Sequence, residues 1–259
     1  MLEWKLTDVF PLFICTTFYL IVFFLAELTR KIVDMSVKKG TNFYIFVIEL
    51  IATAQMCTCV YENGIMIKHY GVSGFFFIVI CLLYVGSLIN RGAFVSPFAP
   101  IEKFYYGAIK FDQLFLVLLA QAIGGYSAFR LVSVIFNHHQ FYENLPCTLN
   151  YKVPFFAAIA YEIIACFLMR LIIPRLHTRY QPYIAPMVTS AFLSFALAYI
   201  GVPALNPVTV SSRLQGCYGL DLQWFILTYW ICPVIGWMAA AVLDHRAKVN
   251  VGGKSKKKK

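Results

Sequence analysis

Charged residues are scarce in this 259-residue chain. Asp, Glu, Lys and Arg make up 13% of it, whereas 60% of the residues are hydrophobic, and the mean hydropathy is +0.71. Because soluble domains carry about 25% charged residues, the composition argues against a soluble enzyme. Uncharged or single-charge stretches of membrane-spanning length recur along the sequence. They indicate a polytopic helical membrane protein.

Acidic residues are the scarcer of the two charge types. Twelve Asp and Glu stand against 22 Lys and Arg, which gives a formal net charge of +10. Such an excess can mark a nucleic-acid-binding protein, but here the basic residues lie in short loops between apolar runs and in the C-terminal tail. The charge therefore reflects membrane topology, and no nucleic-acid partner is expected.

The sequence also lacks the spacings of catalytic and metal sites. Cys57 and Cys59 do not have zinc-ribbon spacing and have no second pair. Neither a nucleophile–base pattern nor an Asn-x-Ser/Thr acceptor is found. We expect no enzymatic activity, no cofactor and no metal. Cys147 and Cys217 lie in connecting segments, and a disulfide between them stays open because the sequence gives no distance.

Seven segments are candidates for membrane crossing. The last but one begins an uncharged run from Gln181 to Ser212, which is longer than the ~20 residues that cross a bilayer. Pro203 and Asn206-Pro207 interrupt this run, so we predict a helix ending near Gly201, a turn and a short helix at membrane depth. The seven segments are Val9–Ala26, Phe43–Tyr61, Gly71–Asn90, Gln113–Asn137, Pro154–Pro174, the run from Gln181, and Leu222–Leu243.

The distribution of Lys and Arg predicts the orientation. Seventeen of them fall on the side of the C-terminal tail and four on the other side, with Arg130 inside a segment. The positive-inside rule then places the tail in the cytosol and the N-terminus outside or in a lumen. The tail ends in Lys256-Lys257-Lys258-Lys259, which fits a dilysine retrieval signal of the endoplasmic reticulum. The competing interpretation is a polybasic contact with anionic lipid.

The two halves of the chain share an ordered pattern. Glu49-Leu-Ile-Ala-Thr53 matches Glu162-Ile-Ile-Ala-Cys166, and each is followed by a polar residue before proline, Ser96-Pro97 and Asn206-Pro207. Each unit contains three spans, which is an odd number, so the two units must have opposite orientations in the membrane. We predict one repeat over residues 43–137 and its inverted partner over residues 154–243.

Ser or Asn before Pro favours a helix start. The side-chain oxygen accepts from a free backbone N–H, and Pro at the first position removes only a donor that would be unpaired. Two half-helices that start at membrane depth from opposite faces would meet at their N-termini and form a positive barrier to cations and protons. Glu49 and Glu162 are expected to anchor these loops by hydrogen bonds rather than to bind a ligand.

These motifs resemble the aquaporin family, in which a Glu-x-x-x-Thr helix and an Asn-Pro-Ala loop are repeated in inverted form. The resemblance covers residues 43–243. The degenerate first box and a cysteine nine residues past the second box are similar to the unorthodox intracellular superaquaporin branch. The residues concerned are Ser96, Pro97 and Phe98 in the first box, Asn206, Pro207 and Val208 in the second, and Cys217.

The resemblance implies an all-α membrane fold. It has six core transmembrane helices and two re-entrant half-helices. Residues 1–42 add an extra N-terminal transmembrane helix and a basic cytosolic loop, and residues 244–259 form a basic cytosolic tail. The resemblance also implies a homotetramer in the bilayer of the endoplasmic reticulum or another intracellular membrane. Glu102 and Lys103 depart from the family pattern, so the first half-helix must open toward a cytosolic vestibule or be distorted.

The family's constriction can be carried over by its offsets from the two boxes. It falls on Phe76, Ser194, Pro203 and Thr209. Water-selective aquaporins place His and Arg where Ser194 and Thr209 stand, so a wider and less polar filter is expected here. The resemblance therefore implies passive flux of water, glycerol and hydrogen peroxide.

Two other functions stay open. A non-conducting scaffold or assembly protein of the endoplasmic reticulum is favoured by Ser96, whose hydroxyl donates one hydrogen where the Asn amide donates two. A coupled secondary transporter would also use inverted repeats and broken helices, but it needs acidic side chains along the path.

Overall fold

The computed structural model describes residues 6–137, 148–214 and 217–256. These residues form nine α-helices and one isolated parallel bridge between Thr148 and Tyr218. The predicted all-α class is confirmed. The helices are α1 Leu6–Ser36, α2 Asn42–Ile89, α3 Phe98–Tyr105, α4 Phe111–Asn137, α5 Phe155–Ile172, α6 Gln181–Phe195, α7 Pro207–Leu214, α8 Leu222–Ile226 and α9 Cys232–Lys256.

Six helical stretches in the described residues have the length and composition to cross a membrane. Their most apolar windows have hydropathies between 1.6 and 2.5, which fits the prediction of a polytopic membrane protein. The stretches are Val9–Ser36, Asn42–Ile89, Phe111–Val132, Phe155–Arg175, Gln181–Ile200 and Leu222–Arg246.

Helix α2 contains both the second and the third predicted segments. Its 48 residues would span roughly 70 Å as a straight helix, more than twice the ~30 Å of a bilayer core. Gly71 interrupts it with non-helical backbone, φ 62° and ψ −153°, a conformation that only glycine adopts readily. The helix therefore consists of a first arm (residues 42–70) and a second arm (residues 72–89).

The predicted end of the sixth segment is confirmed. Helix α6 continues through a π-turn, Ala196–Ile200, and stops where Gly201 takes a left-handed conformation, φ 102°. After a short loop, α7 begins at Pro207 and runs for eight residues. Helix α3 has the same length. Each half of the chain thus contains one short helix of the kind that the Ser-Pro and Asn-Pro pairs predict.

The two halves of the chain also share a close helix crossing. At Gly124 of α4, a Cβ atom would lie 2.8 Å from the Leu50 carbonyl oxygen of α2, and at Gly236 of α9 it would overlap the Ile163 carbonyl oxygen of α5. Leu50 directly follows Glu49, and Ile163 directly follows Glu162. Only glycine permits these contacts. In each half of the chain, a helix with such a glycine therefore crosses the Glu-bearing helix next to its glutamate.

Helix α1 packs against both arms of α2. Cys15 and Tyr19 form a buried cluster with Cys59 and Met66, and the Tyr19 hydroxyl donates to the Asn63 side chain over 2.7 Å. Farther along, the fully buried Arg30 donates to Gln55 at 2.7 Å and to Asn90 at 3.0 Å. The sequence did not show what this helix does, and the structure shows that it covers polar groups of α2.

A charged cluster fixes the end of α1 to the end of α2. The guanidinium of Arg91 donates to Glu27 at 2.7 and 2.8 Å and to Asp34 at 2.7 Å. The hydrogen bond with Glu27, followed by that with Asp34, raises the pKa of Arg91 above its usual range. The Tyr44 hydroxyl donates to the other Asp34 oxygen, so the cluster also includes the start of α2.

Candidate pore

The loops before α3 and α7 meet at their helix N-termini. The side-chain amide of Asn206 donates to the Val95 carbonyl oxygen at 3.0 Å, while its oxygen accepts from the Val208 N–H at 3.1 Å. The Thr209 hydroxyl donates to the Asn206 carbonyl at 3.1 Å. Asn206 therefore caps its own short helix and holds the opposite loop at the same time.

Ser96 does not form the corresponding cap. Its hydroxyl is buried and has no hydrogen-bond partner within the described parts of the chain, and α3 starts after Pro97 without a side-chain cap. The interpretation of Ser96 as a helix cap is therefore corrected; Ser96 is instead one of the residues that line the space between the loops.

Two buried carboxylates hold the loops. Glu49 accepts from the backbone N–H groups of Phe94 and Val95 at 2.8 and 2.7 Å and from Gln121 at 2.8 Å. Glu162 accepts from the Leu205 N–H at 3.2 Å. In each repeat the carboxylate thus bonds to the residue just before the polar–Pro pair.

Val95 and Leu205 have the same unusual backbone conformation. Both have φ 57°, in the left-handed region, which costs a non-glycine residue about 1–2 kcal/mol. The hydrogen bonds that the Val95 and Leu205 N–H groups donate to Glu49 and Glu162 offset this cost. The two loops therefore have the same backbone φ angle at the residue before the polar–Pro pair.

A cavity of about 240 Å³ lies between the two loops and the long helices. It has room for several water molecules, which occupy about 30 Å³ each in the liquid. Ser96, Asn206, Thr209 and Pro203 line it together with apolar side chains of α2 and α6. Arg213 is the one charged side chain among the described lining residues.

Only two of the four filter positions assigned by offset line this cavity within the described residues. Pro203 and Thr209 line it, whereas Phe76 and Ser194 are not among its described lining residues. Their chain neighbours Phe75 and Leu193 line it instead. The Phe76 carbonyl accepts from the Ser190 hydroxyl at 2.7 Å, and the Ser194 hydroxyl is buried without a partner in the described chain.

A polar stripe along α2 was not identified from the sequence. Gln55, Cys59 and Asn63 all line the cavity, and their spacing of four residues places them on one face of a helix. This spacing was visible in the sequence and could have been recognised by its period. Arg30 and Tyr19 of α1 hydrogen-bond two of these side chains, which no local pattern could show.

The charge in α3 is paired within the structure. Arg170 donates to Glu102 at 2.8 and 2.6 Å, and the Trp237 indole N–H donates to the same carboxylate at 2.7 Å. Phe98 stacks on the Trp237 ring, with ring centroids 5.1 Å apart. The end of α3 that carries Glu102 is therefore neutralised by α5 and held by α9.

Cys217 is disulfide-bonded. Cys15, Cys57, Cys59, Cys81, Cys166 and Cys232 are free, and Cys147 lies outside the described residues. The neighbouring positions Thr148 and Tyr218 form the parallel bridge, in which the Leu149 N–H donates to the Tyr218 carbonyl at 3.0 Å. The segment after α7 is thus tied to the segment before α5.

Sequence comparison gives the family. No protein-family model matches the chain. Over 259 aligned residues the chain is 38% identical to a Caenorhabditis elegans protein named "Putative aquaporin-10", and the alignment covers 96% of this chain and 90% of that relative. The chain belongs to the aquaporin family. It is therefore a multi-pass membrane protein with the aquaporin fold, and a channel rather than an enzyme.

Two more distant relatives are named aquaporin-11. One, from Milnesium tardigradum, is 21% identical over 90% of this chain and 87% of its own length. The other, from Homo sapiens, is 22% identical over 74% of each chain. The predicted membership of the aquaporin family is confirmed by these alignments and by the alignment with the nematode relative.

Proposed function

We propose that this aquaporin-family chain is a passive channel for water and small neutral solutes, such as glycerol and hydrogen peroxide, in an intracellular membrane. The observation that carries the proposal is the cavity of about 240 Å³ between the two half-helix N-termini. Its polar groups can accept and donate hydrogen bonds to neutral solutes. The opposed N-terminal dipoles disfavour cations at the same place.

A passive mechanism is favoured over coupled transport by the position of the acids. Among the described residues that line the cavity there is no carboxylate. Glu49 and Glu162 are occupied by backbone N–H groups of the loops, so neither is available to bind a coupling ion. This supports a pore that needs no gradient of a second solute.

The proposed filter consists of Phe76, Ser194, Pro203 and Thr209. Thr209 contributes a small neutral side chain to the cavity, and this supports passage of solutes larger than water. The offset assignment of Phe76 and Ser194 remains a prediction. The alternatives to Phe76 and Ser194 are their sequence neighbours Phe75 and Leu193, because these two residues line the cavity.

We also propose seven crossings, with the N-terminus in a lumen and the tail in the cytosol. The break at Gly71 supports this count, because it divides α2 into two arms that are each long enough to cross the membrane. Helix α1 is long enough for a further crossing. Large hydrophobic side chains exposed on the described surface, among them Phe13, Phe24 and Phe156, would face lipid or the other copies of a homotetramer.

The proposed location is the endoplasmic reticulum. The degenerate box at Ser96, Cys217 and the relatives named aquaporin-11 support the superaquaporin branch, and the terminal lysines fit a retrieval signal. Changing Lys256 and Lys257 to Ser should then move the protein to the cell surface, as imaged by surface labelling. An unchanged distribution would count against retrieval.

The function is tested with purified protein in proteoliposomes. Stopped-flow light scattering measures water and glycerol flux, and an enclosed peroxide-sensitive dye measures peroxide entry, with empty liposomes as the control. We expect flux of all three solutes that is independent of any ion gradient. Flux only in the presence of a gradient would indicate a coupled transporter. No flux above that of empty liposomes would favour the scaffold function.

A further inference from the structure

The rotation of α7 about its own axis is fixed by its serines. The Ser211 hydroxyl accepts from the Trp230 indole N–H at 2.8 Å. The Ser212 hydroxyl donates to the Gly125 carbonyl at 2.7 Å, and the Ser212 carbonyl accepts from the Tyr61 hydroxyl. Contacts on α2, α4 and the helical segment before α9 therefore leave α7 no freedom to turn.

The side chains of two valines of α7 pack into buried clusters and do not line the cavity. Val208 belongs to a buried cluster with Cys57 and Ala128, and Val210 belongs to another with Leu149 and Tyr229. Thr209 and Arg213 are four residues apart and so lie on one face of the helix. Both line the cavity.

Arg213 has no hydrogen bond or ion pair with another described residue through its guanidinium. Arg213 thus presents an uncompensated positive charge to the cavity, about 6 Å along the helix axis from Thr209 at 1.5 Å per residue.

We propose that Arg213 is the specificity-determining cation of this pore. In this arrangement Thr209 sets the width with a neutral side chain, and Arg213, one helical turn nearer the mouth, supplies the fixed charge that repels cations. The inference rests on the proposed channel function and deepens it. It explains how a filter wide enough for glycerol can still exclude cations, because repulsion by a fixed positive charge acts at a distance and needs no narrow fit.

The test uses three variants in proteoliposomes. Arg213→Gln removes the charge, Arg213→Lys keeps it, and Lys68→Gln removes an exposed basic residue on the same side of the membrane away from the cavity. Sodium and proton entry are measured with enclosed dyes, relative to peroxide entry in the same liposomes. We expect Arg213→Gln to raise relative cation entry about tenfold or more, whereas the other two variants remain within about twofold of the wild type.

A swap variant places the charge differently. In Thr209→Arg/Arg213→Thr the charge moves one turn inward, so cation exclusion should be retained while glycerol entry falls. Wild-type liposomes that conduct no solute would overturn the proposed function and this inference with it. Wild-type liposomes that conduct, with Arg213→Gln still as tight to cations as the wild type, would overturn the inference alone.

A second readout does not depend on transport. A membrane-impermeant thiol reagent added from the mouth of the pore should label Arg213→Cys well above the background of the parent protein. Ser211→Cys, on the neighbouring face packed against Trp230, should remain near background. Equal labelling of the two positions would overturn the placement of Arg213 in the lumen.

Discussion

Glu49 and Glu162 occupy equivalent positions but accept different numbers of hydrogen bonds. Glu49 accepts three hydrogen bonds and Glu162 one among the described residues. Each hydrogen bond to a charged group contributes about 1.5–3 kcal/mol. The first loop, whose Ser96 gives no cap, is therefore the one held more strongly by its carboxylate.

Glu49→Gln should destabilise the protein more than Glu162→Gln. A Gln side chain offers one acceptor oxygen and turns a donor toward donors, so Glu49→Gln should lose at least one charge-assisted bond more, or about 2 kcal/mol. Thermal unfolding in detergent can be followed with a thiol-reactive dye, because Cys57 and Cys166 are buried and free. Equal melting temperatures for the two variants would contradict this ranking.

Thr209→Arg should reduce glycerol flux and spare water flux. Thr209 lines the cavity, and a guanidinium there adds bulk and donors. A loss of roughly tenfold in glycerol permeability corresponds to about 1.4 kcal/mol of added barrier. Stopped-flow measurement of both solutes tests this, with Thr209→Ser as the control of similar size. A parallel fall in water and glycerol flux would point to a general block instead.

The residue scale also shows what sequence could predict. The Asn206 cap depends on atoms within two residues of each other, so local chemistry predicts it correctly. The offset to Phe76 and Ser194 depends on the phase of two long helices relative to the loops. A shift of one residue turns a side chain by about 100°, and this is the difference between Phe76 and Phe75 or between Ser194 and Leu193 at the cavity.

At the scale of elements, the crossing of α5 and α9 has no space for a side chain. Gly236→Ala would drive a Cβ into the Ile163 carbonyl oxygen, and backbone cannot give way as a flexible side chain can. We expect a loss of about 1–3 kcal/mol, measured as a lower melting temperature. Gly86→Ala is the control, because its Cβ would meet only the Asn90 amide at 3.4 Å. A melting temperature unchanged by Gly236→Ala would contradict the tight crossing.

Helix α1 should be needed for stability through Arg30. Arg30→Met would leave the Gln55 and Asn90 oxygens, which now accept from the guanidinium, without their donor. Leaving a buried neutral acceptor without its donor costs about 1–3 kcal/mol. Lys31→Met, at the next and exposed position, should have little effect on the melting temperature. Similar losses in both variants would indicate a charge effect rather than these two bonds.

The second predicted segment ends at Tyr61, earlier than the first arm of α2 does. Residues 62–70 contain Glu62, Asn63, Lys68 and His69, which reads as a connection. In the structure the helix continues to Gly71, because α1 buries Glu62 and supplies Tyr19 as the partner of Asn63. That partner lies 44 residues away in the chain, beyond the reach of any local pattern.

At the scale of the whole molecule, the charge asymmetry makes a topological prediction. A tag at Met1 should be protected from protease added to intact microsomes, and a tag at Lys259 should be cleaved. The reason is the excess of Lys and Arg on the side of the tail. Detergent-permeabilised microsomes, in which both tags are cleaved, are the control. Cleavage of both tags in intact microsomes would mean that α1 does not cross.

The global scale is where sequence predicted most. The six long apolar stretches overlap all seven predicted segments, because low charge over membrane-spanning lengths is visible in the sequence. The two short helices follow from the Ser-Pro and Asn-Pro pairs. Contacts between distant parts, such as Arg30 with Asn90 or Glu102 with Arg170, required the folded chain. They depend on which helix faces rest against each other, and hydrophobic pattern alone does not decide this.

The hydrogen bond between Asn206 and Val95 spans 111 positions of the chain. At a synthesis rate of about 5–20 residues per second, the Val95 carbonyl is made roughly 6–20 s before the amide that will bond to it. Glu49, which accepts from the Val95 N–H in the folded chain, is synthesised before Val95, so the first loop has its carboxylate partner available throughout that interval. The contact between the two loops therefore forms late in synthesis. Until Asn206 has been synthesised, the Val95 carbonyl oxygen lacks the donor that it has in the folded pore.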